Sequence, residues 1–277
     1  MTEKQRLNRF IASCGLCSRR KADLLVQTGR VTVNQVACSD PSRIIDPDKD
    51  SVGVDGEVIS VQEKLYIALH KSRGCVCSVS DHFSQTVLEL LPPRYRARGL
   101  FPVGRLDKDS EGLLLLTDNG QLNHLITTPT ATQKTFGKTY LVQVENTPTP
   151  EQIQALQTGV TLKDGKTLPA QVILLDENSL PITLWQRNPP IRKRQNIPTA
   201  WLSITIFEGK NRQVRRMTAH VGLPCLRLIR QRIGVWQLGD LPVGAHQKIT
   251  LTDSQLAQLT AQKTRTPKPK KLTNPRK

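Results

Sequence analysis

Four short runs of apolar or alternating residues, separated by turn residues, constrain the fold of this chain more than any other feature. They comprise Tyr66–His70, Leu113–Leu116, Lys138–Val144 and Leu202–Ile206. Short runs of this kind between turn residues are typical of strands. They predict a sheet rich in antiparallel strands within residues 64–252.

Two helical patterns lie between these strands. Pro150 precedes apolar residues at Ile153, Leu156 and Val160, which share one face of a helix. Residues 211–220 predict a second helix, along which arginines recur at three- and four-residue spacing. The combination predicts an α+β fold whose mixed, mainly antiparallel sheet is flanked by helices.

The first 60 residues predict a small separate domain. Leu7, Phe10 and Ile11 recur at helical spacing, Ser18 can cap a second helix, and Gly29 can end it. Two short alternating runs follow, at residues 31–33 and 52–54, and a flexible joint is expected near residues 58–63. This order of helices and strands resembles the alpha-L RNA-binding module named after ribosomal protein S-four.

Charge indicates a polyanionic partner. Lys and Arg number 40 against 23 Asp and Glu, a formal net charge of +17, which favours nucleic acid. Residues 262–277 carry seven basic and no acidic residues and predict a disordered basic tail. No long apolar run or secretory signal is present, so we expect a cytoplasmic protein without membrane contact. A monomer is expected.

One segment, Gly104 to Gly120 (GRLDKDSEGLLLLTDNG), carries the motif that indicates chemistry. It resembles the catalytic motif of the ribosomal pseudouridine synthases, in the group formed by type A, which acts on the small subunit, and types B, E and F, which act on the large one. The resemblance implies that Asp107 is the nucleophile and that Arg105 helps to displace the target nucleotide from its stack. Such a carboxylate adds to the base or to the sugar carbon, or stabilises a glycal route; the sequence leaves these routes open, and the reaction needs no cofactor.

Two further segments match the same family. EGKNRQVRRM, residues 208–217, resembles the later motif whose basic residue pairs with the catalytic Asp, which implies this role for Arg215. A guanidinium there would favour the charged carboxylate. Tyr140, in GKTYLV, matches the tyrosine that stacks on the target base and assists proton removal from its C5.

The RNA substrate is indicated by the segments between Lys138 and Arg230, which resemble the E-type synthases, although the E type lacks the N-terminal module. The expected partner is therefore ribosomal RNA, with 23S favoured, and pre-ribosomal particles; 16S rRNA and tRNA stay open as substrates. A basic insertion at residues 187–197 predicts a substrate-reading loop. The predicted RNA-binding residues are Arg6, Arg9, Arg19, Arg20, Lys21, Arg30, Arg192, Lys193, Arg194, Lys210 and Arg212.

Other classes of protein fit the sequence less well. Asp107 and Asp109 could be the paired carboxylates of a glycosidase, but aromatic residues, which stack on sugars, make up 4% of the chain. Cys14 and Cys17 have the spacing of a zinc or redox pair, but no second pair of cysteines or histidines has ligand spacing, so no metal site is expected. A non-catalytic rRNA-binding assembly factor and a base-releasing glycosylase remain as alternatives, which activity measurements distinguish.

Overall fold

The structure, a computed structural model of the chain, describes residues 4–96, 98–128, 136–192, 194–251 and 255. The predicted basic tail and Lys193 lie outside these residues. The described part holds a small N-terminal unit of two helices and short strands, followed by a larger unit built on one nine-stranded sheet.

The elements of the N-terminal unit are β1 (Gln5–Arg6), α1 (Leu7–Ser13), α2 (Arg19–Gln27), β2 (Val31–Val33), β3 (Val36–Ala37), β4 (Ile44–Ile45), β5 (Val52–Val54) and β6 (Glu57–Ile59). The sheet order is β3-β2-β5-β6, while β1 pairs with β4. The Ser18 side chain accepts a hydrogen bond from the backbone N–H of Lys21 and so caps α2, as predicted. Leu7, Phe10 and Ile11 are buried against the inner face of α2, which confirms the predicted apolar faces.

The larger unit contains the strands β7 (Tyr66–Lys71), β8 (Phe101–Pro102), β9 (Glu111–Thr117), β10 (Lys138–Glu145), β11 (Thr161–Leu162), β12 (Gly165–Lys166), β13 (Gln171–Leu175), β14 (Thr199–Ile206), β15 (Cys225–Ile233), β16 (Trp236–Gln237) and β17 (His246–Lys248). Its helices are α3 (Pro93–Arg96), α4 (Gly120–Thr127), α5 (Pro150–Thr158) and α6 (Gln213–His220). All four predicted strand runs lie in this sheet. The two predicted helices correspond to α5 and α6.

The sheet order is β13-β14-β10-β15-β9-β7-β17, with β8 on β9 and β16 on β15. Every pairing is antiparallel except that of β15 with β9, so the sheet is mixed and mainly antiparallel, as predicted. The four leucines of β9 alternate between two hydrophobic clusters: Leu113 and Leu115 face one, Leu114 and Leu116 the other. Strand β9 is therefore buried on both faces, and its first residues, Glu111 and Gly112, pair with β15.

Two helix boundaries differ from the predicted ones. Thr149 and Gln152 form a capping box at the start of α5, but that helix ends at Thr158, before Val160. Helix α6 begins at Gln213 rather than at residue 211, because Arg212 adopts a left-handed backbone with φ 45° and ψ 36°. Because of this backbone conformation, the direction of the Arg212 side chain does not follow the helical pattern of α6.

The connection between the two units is tied to both of them. The Lys64 ammonium donates to the Ser13 carbonyl at the end of α1, at 2.6 Å. On the other side, Arg98 donates to the Glu63 carbonyl and forms an ion pair with buried Asp118. These contacts hold residues 63 and 64, at the end of the segment in which the sequence predicts a flexible joint.

Candidate active site

Asp107 lies in the loop between β8 and β9. Its backbone carbonyl accepts a hydrogen bond from the Ser110 N–H at 3.0 Å, which closes a tight turn. Leu106 before it is buried, and Arg105 is exposed. The Asp107 side chain itself is 29% exposed, so the carboxylate is both held by the fold and accessible to a substrate.

The cation that contacts Asp107 is Arg212. Its Nη1 atom lies 3.2 Å from Asp107 Oδ2, and the guanidinium is half exposed. The left-handed backbone at Arg212, just before α6, brings it to the loop. A contact between two ionised groups is stronger than a neutral hydrogen bond, so Arg212 is part of the Asp107 site.

Arg215 makes a different contact from the predicted one. Its Nη1 atom lies 3.5 Å from both the carbonyl oxygen and the thiol of Cys225, at the start of β15. Burial raises the pKa of the Cys225 thiol to about 11, an effect that the charges of Arg215, Arg212 and Arg187 oppose. All three guanidiniums therefore lie near enough to Cys225 to act on its thiol, and Arg212 is the one that contacts Asp107. Sequence reasoning assigned Arg212 to RNA binding alone, because the left-handed turn before α6 left no recognisable signal.

Buried cations support the loop from below. Arg230, in β15 and 1% exposed, donates from Nε to the Leu113 carbonyl at 2.8 Å and from Nη1 to the Arg105 carbonyl at 3.3 Å. Lys71, at the end of β7 and fully buried, donates to the Ser110 carbonyl at 2.8 Å. Burial lowers the pKa of Lys71, and nearby acidic groups that include Asp107 oppose this effect. Carbonyls on both sides of Asp107 are thus fixed by side chains of neighbouring strands.

Gly112 permits the close approach of β9 to β15. It has φ +104°, and a Cβ atom there would lie 2.3 Å from the Arg230 carbonyl oxygen. No other residue type fits such a distance, and a positive φ of this size strongly favours glycine. Because Gly112 has no side chain, β9 can pair in parallel with β15 only a few residues after Asp107.

A buried ion pair, which sequence reasoning missed, lies beneath the site. Glu111 accepts from Arg227 Nε at 2.9 Å and from the indole N–H of Trp185 at 2.7 Å, and both charged side chains are about 5% exposed or less. The Arg227 guanidinium also donates to the Trp185 carbonyl. Arg187, near the start of the basic insertion, has its Nε atom 3.8 Å from Glu111. The insertion is therefore anchored to the first residue of β9.

Tyr140 lies in β10 and is 7% exposed. It belongs to the same hydrophobic cluster as Leu106, the neighbour of Asp107, and its backbone is paired with that of Arg230. Arg230 in turn donates to the Arg105 carbonyl, so Tyr140 lies in the part of the sheet next to the Asp107 loop.

The predicted RNA-binding residues fall into two groups. Those that are exposed without a described ion pair to a carboxylate are Arg6, Arg9, Arg19, Arg20, Lys21 and Arg192. Four others contact protein groups: Arg30 binds Asp55, Arg194 lies 3.5 Å from Glu145, the Lys210 ammonium donates to the carbonyls of residues 164–166, and Arg212 contacts Asp107. Lys193 is outside the described residues. Asp55 raises the pKa of Arg30 through their contact.

Within the described ranges, no group of three or more His, Cys, Asp or Glu side chains is placed to hold a metal ion. No helix in the same ranges is long and apolar enough to cross a membrane. The six cysteines are free thiols.

The sequence profile of the RNA pseudouridylate synthases matches residues 65–220, more than half of the chain. The chain belongs to the RNA pseudouridylate synthase family. The profile of the S4 domain matches residues 5–50, so an S4 domain precedes the pseudouridine synthase domain, as the resemblance implied. Asp107, Tyr140 and Arg212 all lie within the pseudouridine synthase match.

Related pseudouridine synthases match over different extents. The chain is 44% identical over 194 residues to ribosomal large subunit pseudouridine synthase E of Vibrio vulnificus, which covers 70% of this chain and 78% of that protein. It is 32% identical over 250 residues to ribosomal large subunit pseudouridine synthase B of Bacillus subtilis, which covers 89% and 92%. A crystal structure of a pseudouridylate synthase matches with a TM-score of 0.59 at 30% identity, covering 92% of this chain and 99% of that one.

Proposed function

We propose that this pseudouridine synthase converts a uridine of large-subunit 23S rRNA to pseudouridine, with Asp107 as the nucleophile. The observation that carries the catalytic assignment is the Asp107 loop itself. It presents an accessible carboxylate 3.2 Å from a guanidinium, while Arg230 and Lys71 hold the backbone on both sides. The rRNA assignment is supported by the names of the E-type and B-type relatives.

The reaction replaces one glycosidic bond of the target nucleoside with another. The bond from C1′ to N1 of uracil breaks, the base rotates, and a bond from C1′ to C5 forms; C5 loses its proton and N1 gains one. Asp107 adds either to the base or to C1′, or stabilises a glycal intermediate, and no redox step or group acceptor is needed. The chemistry therefore requires a positioned carboxylate and a base removed from its stack.

The neighbouring residues have complementary proposed roles. Tyr140 stacks on the uracil and assists removal of the C5 proton. Arg105, exposed before Asp107, helps to displace the nucleotide. Arg212 stabilises the carboxylate, and Arg215 is a second guanidinium that can reach the site when RNA is bound. The roles of Tyr140 and Arg105 are supported by their position near Asp107 and by the family resemblance. The role of Arg212 is supported by its contact with Asp107, and that of Arg215 by the resemblance alone.

RNA is held by more than the catalytic loop. We propose that the exposed basic residues of α1 and α2, within a domain of residues 1–60, and those of the 187–197 insertion contact phosphates, which gives an affinity that falls with salt. The catalytic domain, residues 64–252, selects the uridine. The enzyme acts as a cytoplasmic monomer on rRNA or on a pre-ribosomal particle.

Asp107→Asn tests the assignment with minimal change in shape. Product is measured as tritium released from 23S rRNA transcribed with [5-³H]UTP, and RNA binding is measured in parallel. The expected result is no tritium release with RNA binding retained. Release at the wild-type level would refute the assignment of Asp107.

A map of modified uridines in a deletion strain tests the substrate. Loss of one pseudouridine from 23S rRNA is expected. An unchanged 23S map together with a lost site in 16S rRNA or tRNA would redirect the substrate assignment while leaving the chemistry in place.

A further inference from the structure

Phe83 is the most exposed large apolar side chain in the described part of the chain, at 97% of its full accessibility. The other described phenylalanines are buried or half-buried. An exposed aromatic side chain has no stabilising role in the free protein, since apolar surface left in water contributes nothing to folding. The location of Phe83 in the fold therefore indicates what kind of molecule its ring can contact.

Phe83 lies in a loop, residues 78–84, that is joined at both ends to the neighbours of Asp107. Before the loop, the Cys77 thiol accepts from the Leu106 N–H at 3.3 Å. At its other end, Ser84 accepts from the Lys108 ammonium at 2.9 Å. The residues on either side of Asp107 thus hold the two ends of the Phe83 loop, which places the loop at the rim of the catalytic site.

The tip of the loop is ordered by its own hydrogen bonds. One carboxylate oxygen of Asp81 accepts from the N–H groups of both Phe83 and Ser84, at 2.9 and 2.7 Å. Such a turn fixes the backbone of Phe83, so the ring is presented to solvent in the free protein. A preorganised side chain loses less entropy when it binds.

The surroundings of the ring are suited to a nucleic acid strand. Lys108 is exposed and donates to a neutral hydroxyl, so its positive charge stays available for a phosphate. Arg105 is exposed on the other side of Asp107. An aromatic face beside cationic groups is the arrangement by which proteins bind unpaired bases, the face stacking on a base and the cations contacting the backbone.

We propose that Phe83 stacks on a splayed-out base of the substrate RNA next to the target uridine, and so contributes to substrate binding and to the choice of site. This inference rests on the proposed catalytic role of Asp107, which locates the site. Phe83 takes no part in the bond changes. It acts when the RNA is bound.

The test compares Phe83 variants by tritium release from [5-³H]uridine-labelled 23S rRNA transcribed in vitro. Phe83→Ala is expected to raise KM about tenfold, because the loss of one stacked base weakens binding by about that factor or more, and to leave kcat within about twofold. Phe83→Trp and Phe83→Tyr should retain wild-type KM. Phe83→Leu should resemble Phe83→Ala, since a leucine is apolar but offers no ring face.

The matched control is Ile173→Ala. Ile173 is 61% exposed and lies on β13, at the opposite end of the sheet order from β9 and β7. Its removal is expected to leave KM unchanged. Thermal unfolding of each variant, with no change expected at these exposed positions, separates binding from stability.

Three results would overturn the inference: wild-type KM for Phe83→Ala, wild-type KM for Phe83→Leu, or a defect confined to assembling ribosomal particles, which would indicate a protein contact instead. Failure here is distinct from failure of the proposed function. If Asp107→Asn is inactive while Phe83→Ala behaves as wild type, the catalytic assignment stands without the stacking role.

Discussion

Arg212 forms an ion pair with Asp107, with 3.2 Å between Nη1 and Oδ2, although 105 residues separate the two in the chain. The pair joins the turn before α6 to the loop before β9. It therefore joins the family's two motifs through a residue that the sequence analysis assigned to RNA binding and not to the catalytic carboxylate.

Removal of this guanidinium should slow the reaction. Arg212→Gln is expected to lower kcat about tenfold to 100-fold, because an electrostatic partner at the reacting group is lost while the loop itself is held by other residues. Single-turnover tritium release with saturating rRNA measures the effect. Arg216→Gln, one turn along α6, is the matched control, since Arg216 is paired with Asp164. If Arg215→Gln alone slows the reaction and Arg212→Gln does not, the family-based pairing is correct and the contact in the free protein is not the catalytic one.

The Glu111–Arg227 pair should dominate the stability of the region beneath the site. Glu111→Gln leaves the Arg227 guanidinium buried without a full counter-charge, which typically costs about 3 kcal/mol or more of unfolding free energy. Urea denaturation measures the loss. Combining Glu111→Leu with Arg227→Met should recover most of it, because both desolvated charges are then removed. If the double variant does not regain unfolding free energy, the hydrogen bonds to Trp185, rather than charge balance, stabilise this region.

Gly112 should not tolerate a side chain. Gly112→Ala places a methyl group 2.3 Å from the Arg230 carbonyl oxygen at a φ of +104°, so we expect a loss of at least about 2 kcal/mol of stability and a displaced Asp107 loop. Denaturation and tritium release measure both effects. Gly120→Ala, at the first residue of α4 where nothing lies within 4 Å of the added atom, should be neutral or slightly stabilising. Equal effects of the two substitutions would contradict the close-approach explanation.

Lys138 predicts a dependence of stability on pH. Burial, assisted by the charge of Arg230, lowers the pKa of Lys138 from 10.5 to about 8. The folded state therefore binds fewer protons than the unfolded state between about pH 8 and pH 10.5, and unfolding free energy rises with pH across this window on account of this group. Below about pH 8, Lys138 is charged in both states, and its partly buried charge destabilises the folded state by the full amount.

Replacing Lys138 removes that dependence. Lys138→Met should be more stable than the wild type at pH 7, and the difference should shrink as the pH rises through the same window. Urea denaturation at several pH values checks this, with Lys163→Met at an exposed position as the control. A difference that is constant with pH would assign the effect to packing rather than to ionisation.

Several elements could be predicted from the sequence because their causes are local. The Ser18 cap, the apolar face of α1 and the leucines of β9 depend on residues within one or two turns or along one strand. Asp107 and Tyr140 could be singled out because their motifs are contiguous and resemble those of a known family. Spacing within a segment carries this information without knowledge of the fold.

The partners of these residues were decided only by the tertiary structure. Arg212 rather than Arg215 contacts Asp107 because a single left-handed residue before α6 redirects the side chain. Glu111 and Arg227, 116 residues apart, meet because β9 and β15 pair in parallel, and the Phe83 loop reaches Asp107 because the residues at its two ends bond to Leu106 and Lys108. Local propensity and motif spacing constrain the backbone over a few residues, whereas ion pairs between distant segments depend on strand order, register and burial, which exist only once the sheet has formed.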